Sequence, residues 1–444
     1  MISSQGAKKI IDRVLSESKL PQCRVDLTWT EDVFVRFARN GITTSGYRTT
    51  QQVTITTATR DRREGTAIVS ELNDKALRSG VQQAEQLATI SPPNPENMPE
   101  LGPQKYPVLE DFDEDTGLAR SDRLIPHIKA LIGMAKEKQL TAAGYMQRSA
   151  NAIAAGNKAG AFGYHTYTDA SLTSTMRNID ATSSGWAEQS SERLRDISGE
   201  SVARTSIEKC LRGAGSRKQL APGKYTVILE PAAVADLVAW VGFAGLSARD
   251  AEQGQSFLSK QGGGTRLGDK MFPEFITLRS DPANGRLWAS PWASSLLPNQ
   301  PIAWIENGVV KNLAYDRYWA AKAMKEPTPD TSNLVLEGQE NGIEDLIRSA
   351  GRALLVTRFW YVRMLQPQTL QLTGLTRDGV FLVENGQVTD PVNNFRWNES
   401  PARVLQNARK FGRPVRSQGS EGFASIVPPL VAENFTFASI SEAV

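Results

Sequence analysis

The spacing of hydrophobic positions changes several times along the chain. In "MISSQGAKKIIDRVLSESK", Ile10, Ile11, Val14 and Leu15 recur at helical spacing and predict a short amphipathic helix. From Cys23 to Leu72 apolar and polar residues alternate over several segments, which predicts strands, with turns at Asn40-Gly41 and in the "RREG" run. "NDKALRSGVQQAEQLATI" returns to a helical period, with Asn73 placed as its N-cap. Six prolines in residues 91–107 predict an extended surface connection. A second helix is predicted over Asp122–Gln139, a further strand-rich stretch from Leu140 to residue 178, and a helix over Glu200–Ala214. The stretch near 140–178 is rich in Gly, Ser, Thr and Tyr, as suits a sheet with a polar face toward a cavity or toward solvent.

"SRKQLAPGK" turns the chain near Lys218–Gly223, and the expected division is 1–219 and 220–444. "GKYTVILE" alternates like a strand. It leads into "PAAVADLVAWVGFAGL", Pro231–Leu246, an apolar helix whose only charged residue is Asp236. Two later segments, Ala303–Asp316 and Gly379–Trp397, each place Glu-Asn-Gly between strand-like runs. Asn307-Gly308 and Asn385-Gly386 predict type I′ hairpins, because both residues tolerate positive φ. "ESPARVLQNARKFG" predicts a helix ending at Gly412, and "GFASIVPPLVAENFTFASI" returns to strand. The pattern is α+β: mainly antiparallel sheets with segregated helices, in two domains.

Composition narrows the function. At 40% hydrophobic and 22% charged, the chain reads as folded and soluble. No apolar run reaches the roughly 18 residues of a membrane span, and the N-terminus lacks a signal peptide's apolar core. A cytoplasmic protein with no membrane contact is expected. A net charge of +3 gives no nucleic-acid footprint, so direct nucleic-acid binding is not expected. Cys23 and Cys210 stand far apart and His127 and His165 are the only histidines, which leaves few ways to build a transition-metal site.

The remaining motifs are weaker. Asp111, Asp113 and Asp115 alternate as in a calcium loop, but Thr116 stands where glycine is required, so a solvated acidic loop is expected. "RGAGSRK" and "QGGGTRLGDK" do not match a phosphate-binding loop and read as flexible loops. No serine motif accompanies either histidine, and both histidines read as structural or exposed. "RFWYVR" is the densest cluster. As a regular strand it would put Arg358, Trp360 and Val362 on one face and Phe359, Tyr361 and Arg363 on the other. Core or interface packing is its default reading, and ligand contact the alternative.

"GKYTVILEPAAVADLV", "IENGVVKNLAYDRYWAAKA" and "TGLTRDGVFLVENGQVTDPVNNF", in that order, resemble the TldD/PmbA family. The resemblance covers most of the chain and is strongest from Gly223 to Gln406. It implies a metalloprotease assembly of two kinds of subunit. The TldD kind carries HExxxH on a helix after a strand and a cysteine near the C-terminus; the TldE (PmbA) kind lacks the motif and pairs with it. Anchored on "VILEP", Ala239, Trp240 and Ala244 occupy the HExxxH slot, and the cysteine position falls near Ser417-Gln418. No catalytic or metal-binding residue is therefore expected here, and zinc belongs to a TldD-like partner. Ligands five residues apart lie about 140° apart on an ideal helix, so a metal-free copy is expected to be a regular buried helix, with Trp240 in the core. The resemblance implies a heterodimer acting on unfolded or leader peptides; the sheet near 140–178 and Arg358, Trp360, Tyr361 and Arg363 are the candidate substrate or partner contacts. The alternatives are a homodimeric interaction protein that modulates another enzyme, and a self-sufficient hydrolase.

Overall fold

The computed structural model describes residues 1–329, 331–420 and 422–442. The chain opens with α1 (Ser4–Glu17), capped by the Ser3 hydroxyl, which accepts from Gly6 N at 3.1 Å. Its expected apolar face buries Ile11 and Val14 together with Ala7, while Ile10 and Leu15 are half-buried. Then come β1 (Gln22–Ala38), β2 (Gly41–Ala58) and β3 (Glu64–Val69). The β1–β2 turn is Arg39–Asn40, both at positive φ, with Ala38 paired to Gly41; the expected Asn40-Gly41 turn thus lies one residue earlier. α2 (Asp74–Ile90) is capped by Asn73 as expected, its Oδ1 accepting from Ala76 N at 2.9 Å. After the proline-rich connection come α3 (Glu114–Leu118), α4 (Ser121–Glu137), β4 (Thr141–Asn157), β5 (Phe162–Arg177), β6 (Ser184–Ser191) and α5 (Gly199–Arg212).

The six strands form one antiparallel sheet in the order β3-β2-β1-β4-β5-β6. Alternation along each strand separates its faces. Met146, Leu172 and Met176 join a core with Leu124, Ile128 and Leu131 of α4 and Val202 and Ile207 of α5. The other face carries Tyr145, Gln147, Ser149 and Asn151 of β4, in register with Thr173, Ser171, Asp169 and Tyr167 of β5. This polar face looks away from the helices toward the second half.

That half contains β7 (Gly223–Leu229), α6 (Pro231–Trp240), α7 (Ala248–Glu252), β8 (Leu278–Ser280), β9 (Ile302–Glu306), β10 (Val309–Val310) and α8 (Arg317–Ala323). It continues through β11 (Leu334–Leu336), α9 (Ile343–Ser349), β12 (Arg352–Gln366), β13 (Gln371–Glu384), β14 (Gln387–Pro391) and β15 (Asn394–Glu399). The last elements are α10 (Pro401–Gln406), β16 (Ala408–Phe411), β17 (Val415–Ser417), β18 (Ser425–Val427) and β19 (Leu430–Ser441). One sheet runs β10-β9-β8-β11-β18-β17. In the other, β12, β7, β19, β15 and β13 pair in sequence and β12 pairs back to β13, so the sheet closes on itself. Phe359, Trp397, Phe395, Phe435 and Phe437 pack ring on ring in the core beneath it.

Both Asn-Gly hairpins form as expected, with positive φ at Asn307, Gly308, Asn385 and Gly386. The helix expected to run to Gly412 does not: α10 stops at Gln406, and Ala408–Phe411 is a strand paired to β19. Pairing with β19 buries Ala408 and Phe411 in the core, and this tertiary gain overrides helix propensity. The fold is α+β with mainly antiparallel sheets; among the described strands only β11–β18 and β12–β7 pair in parallel. No described helix is long and apolar enough to cross a membrane.

Candidate functional site

Pro231 starts α6 at the first helical position, where its missing N–H costs nothing. Ala232 through Val238 are buried. The one acid, Asp236, is 1% exposed, and its carboxylate accepts from Ser420 N at 2.8 Å and Ser420 Oγ at 2.7 Å. It thereby ties the helix to the segment that follows β17, next to Ser417-Gln418.

The helix is not regular throughout, and the expectation that it would be is overturned. Val241–Gly245 forms a π-helical turn. The freed carbonyls find partners: Thr331 Oγ1 donates to Gly242 O at 2.8 Å and Ser256 Oγ to Gly245 O at 3.0 Å. A Cβ on Gly242 would lie 2.4 Å from Leu334, and one on Gly245 2.8 Å from Phe257, so both glycines permit close approach. The distortion is held by side-chain hydroxyls and packing and needs no metal. Trp240 is half-buried against the core, edge-on to Phe243, which is 78% exposed. It packs against the core as expected, at the edge rather than in the interior.

Ala239 and Phe243 line a cleft of about 670 Å³ between the halves. The opposite wall is the polar sheet face: Gln147, Ser149, Asn151, Tyr167 and Asp169. Trp288 stacks on Tyr167 with ring centroids 3.8 Å apart, and Gln418, Phe423 and Ser425 complete one side. Ala244, half-buried, does not line the cleft.

Behind the cleft lies a seam of buried charge. Arg416 of β17 pairs with Asp169, whose carboxyl burial pushes up against the opposing pull of that arginine. The Ser417 hydroxyl and the Gln418 backbone N–H donate to Glu188 of β6, the latter at 3.2 Å. Burial raises Glu188, opposed by those donors and by Arg358. Glu192 is pushed up to about 7, first by burial and then by Asp111. Asp111 does not lie in a solvated acidic loop, as expected; it is 4% exposed and meets His165 Nε2 at 3.0 Å. Asp113 caps α3, accepting from Thr116 N at 2.9 Å. His127 accepts from Gly199 N at 3.4 Å, and burial lowers its affinity for a proton.

The aromatic–arginine cluster lies elsewhere, on β12. The two-faced alternation expected for it fails, because a bulge between Trp360 and Arg363 leaves Tyr361 at φ 54°. Phe359 and Val362 are both buried, whereas Trp360 and Tyr361 are both exposed, at 40% and 58%. Arg358 is buried, with Nε 2.9 Å from Asp378 and its guanidinium over Trp186 and Trp360. Arg377 covers Trp360, and the exposed Arg363 lies over Tyr361.

The donor set at the helix slot does not fit a zinc ion. Ala239, Trp240 and Ala244 offer no lone pair, Ser417 and Gln418 are neutral, and no group of three His, Cys, Asp or Glu that could hold a metal occurs among the described residues. The sheet near 140–178 lines a cavity with its polar face, one of the two settings its composition allowed, and in "GYMQRSAN" the polar residues Tyr145, Gln147, Ser149 and Asn151 stand at every second position. Sequence reasoning missed Arg416.

Residues 222–439 match the model of the PmbA/TldA metallopeptidase C-terminal domain. No curated protein matches the chain. Among solved structures it resembles TldE from Thermococcus kodakarensis, at 19% identity over 97% of this chain and 99% of that one, with a TM-score of 0.85. A Thermotoga maritima protein described as a candidate modulator of a DNA gyrase is similar over 97% of this chain and all of its own, at 18% identity and a TM-score of 0.81. A Bacteroides thetaiotaomicron protein so described gives 19% identity, coverage of 99% and 100%, and the same TM-score of 0.81. At these identities the solved structures establish the shared fold, and the C-terminal domain places this chain in the TldD/PmbA family.

Proposed function

We propose that this chain is the non-catalytic, TldE-like subunit of a heteromeric metalloprotease acting in the cytoplasm on unfolded or leader peptides. The observation that supports the reading is that Ala239, Trp240 and Ala244, which the family resemblance sets at the HExxxH positions, offer neither a metal ligand nor a base in a helical segment that borders a cleft. A TldD-like partner supplies the zinc, the general base and bond cleavage. This chain, with its division at residues 219/220, supplies one side of the chamber. The exposed Trp360, Tyr361 and Arg363, braced from beneath by Arg358, are the proposed partner or substrate contact.

Co-expression with an HExxxH-bearing homologue from the same genome tests this. The expected result is a complex that co-purifies with zinc and cleaves an unfolded peptide, whereas this chain alone does not. A stable homodimer that ignores the homologue would overturn it in favour of an interaction protein. A homologue that cleaves equally fast without this chain would remove the need for the subunit.

A further inference from the structure

We infer that the cavity between the end of β6 and β17 is a binding site for a small zwitterion of the α-amino acid type, its ammonium held by Glu192 and its carboxylate by Arg193, Arg286 and Arg416. The cavity holds about 520 Å³, within the roughly 300–1,000 Å³ of ligand pockets.

Two buried groups of the lining are unspent. Alternation along β6 puts Glu188 and Ser190 on one face, and Glu192 continues it just beyond the strand. Glu192 is 6% exposed, and its Oε1 has no hydrogen-bond partner among the described residues. Ser190 Oγ, also a buried atom, has none either. Burying such atoms without partners costs free energy that a bound polar group recovers.

The charges around Glu192 decide what that group is. Burial, then Asp111 from the connection before α3, pushes its carboxyl toward the neutral form, and Asp169 of β5 adds to this. Arg416 of β17 and Arg193 beside it oppose the rise. Asp111 is matched by His165, and Asp169 by Arg416. Glu192 thus feels two guanidiniums, yet it forms no ion pair with either among the described residues. A gap separates acid from base. A lone anion at the arginines would meet the Glu192 carboxylate, and a lone cation at Glu192 would meet the guanidiniums. A ligand with an ammonium at one end and a carboxylate at the other fills the gap with two attractive contacts. Arg193 and Arg286 are exposed, and a guanidinium fork matches a carboxylate. Val415, 41% exposed in the same lining, gives the ligand's side chain an apolar neighbour.

The site lies apart from the helical slot and stands whether or not a partner supplies catalysis. The test is calorimetric titration of the full chain with L-leucine, and with isocaproate and isoamylamine, which lack its ammonium and its carboxylate. Saturable leucine binding is expected, about tenfold or more tighter than that of either analogue, because each lacks one charged contact. An ammonium favours the ionised form of Glu192. Leucine binding should therefore release protons near neutral pH and tighten as pH rises from about 6 to about 8. Glu192→Gln should weaken binding about tenfold and abolish the proton release. The double variant Arg193→Ala, Arg286→Ala, at exposed side chains, should weaken it while keeping the proton release, and decides the matter if Glu192→Gln unfolds. No saturable leucine binding up to millimolar concentration, an analogue that binds as tightly, full affinity in the double arginine variant, or proton release that survives Glu192→Gln would overturn the site.

Discussion

The two walls of the cleft are built on opposite principles. The helical wall, Pro231–Gly245, is apolar, and its one acid turns away to hold Ser420. The sheet wall is polar, with unspent amides and hydroxyls and with carboxylates buried behind it. The helical wall has an irregular shape, a π-turn over Val241–Gly245. The sheet wall keeps chemistry on a regular scaffold. Hydroxyls from Thr331 and Ser256 and two tightly packed glycines hold the turn.

The largest effect should come from removing charge behind the sheet wall. Arg416→Met strands Asp169 as a buried, unpaired carboxylate and should destabilise the chain by about 3–5 kcal/mol, read from the urea midpoint. If the loss is near zero, the seam does not hold the two walls together.

Glu192 gives the next largest. Its carboxyl, ordinarily at 4.5, is pushed up to about 7 by burial, then by Asp111, with Asp169 adding to the rise and Arg416 and Arg193 opposing it. Between those values the folded chain holds a proton that the unfolded chain has released. Stability should therefore fall as pH rises through that window. Glu192→Gln should flatten the slope and be more stable at pH 8 by on the order of 3 kcal/mol, as thermal melts across pH would show.

The helical wall should respond more weakly, and through shape. Gly242→Ala pushes a methyl against Leu334, whose side-chain end can move, and should cost about 1–3 kcal/mol. Thr331→Val removes the hydroxyl that satisfies Gly242 O and should cost about 1 kcal/mol in chemical denaturation. A stabilised Thr331→Val would mean that the π-turn is strained rather than supported.

Much of this was legible in the chain. Local rules suffice where a residue's own chemistry decides its conformation. Asn73 caps a helix, Asn307-Gly308 and Asn385-Gly386 make hairpins, and the period of Ile11 and Val14 marks a buried face. What failed needed a partner distant in sequence. β16 is a strand because β19 lies beside it. The alternation from Arg358 to Arg363 breaks at a bulge that lets Phe359 and Val362 both enter the core. Asp111 is buried because His165 receives it.

The sequence by itself determined the fold class and the hairpins, since these follow from residue identity and short-range spacing. Only the tertiary structure decided that a polar sheet face and an apolar π-turn would enclose a cleft and that Arg416 would seal the charge behind it. These depend on contacts between residues as far apart as Asp169 and Arg416, which no local pattern encodes.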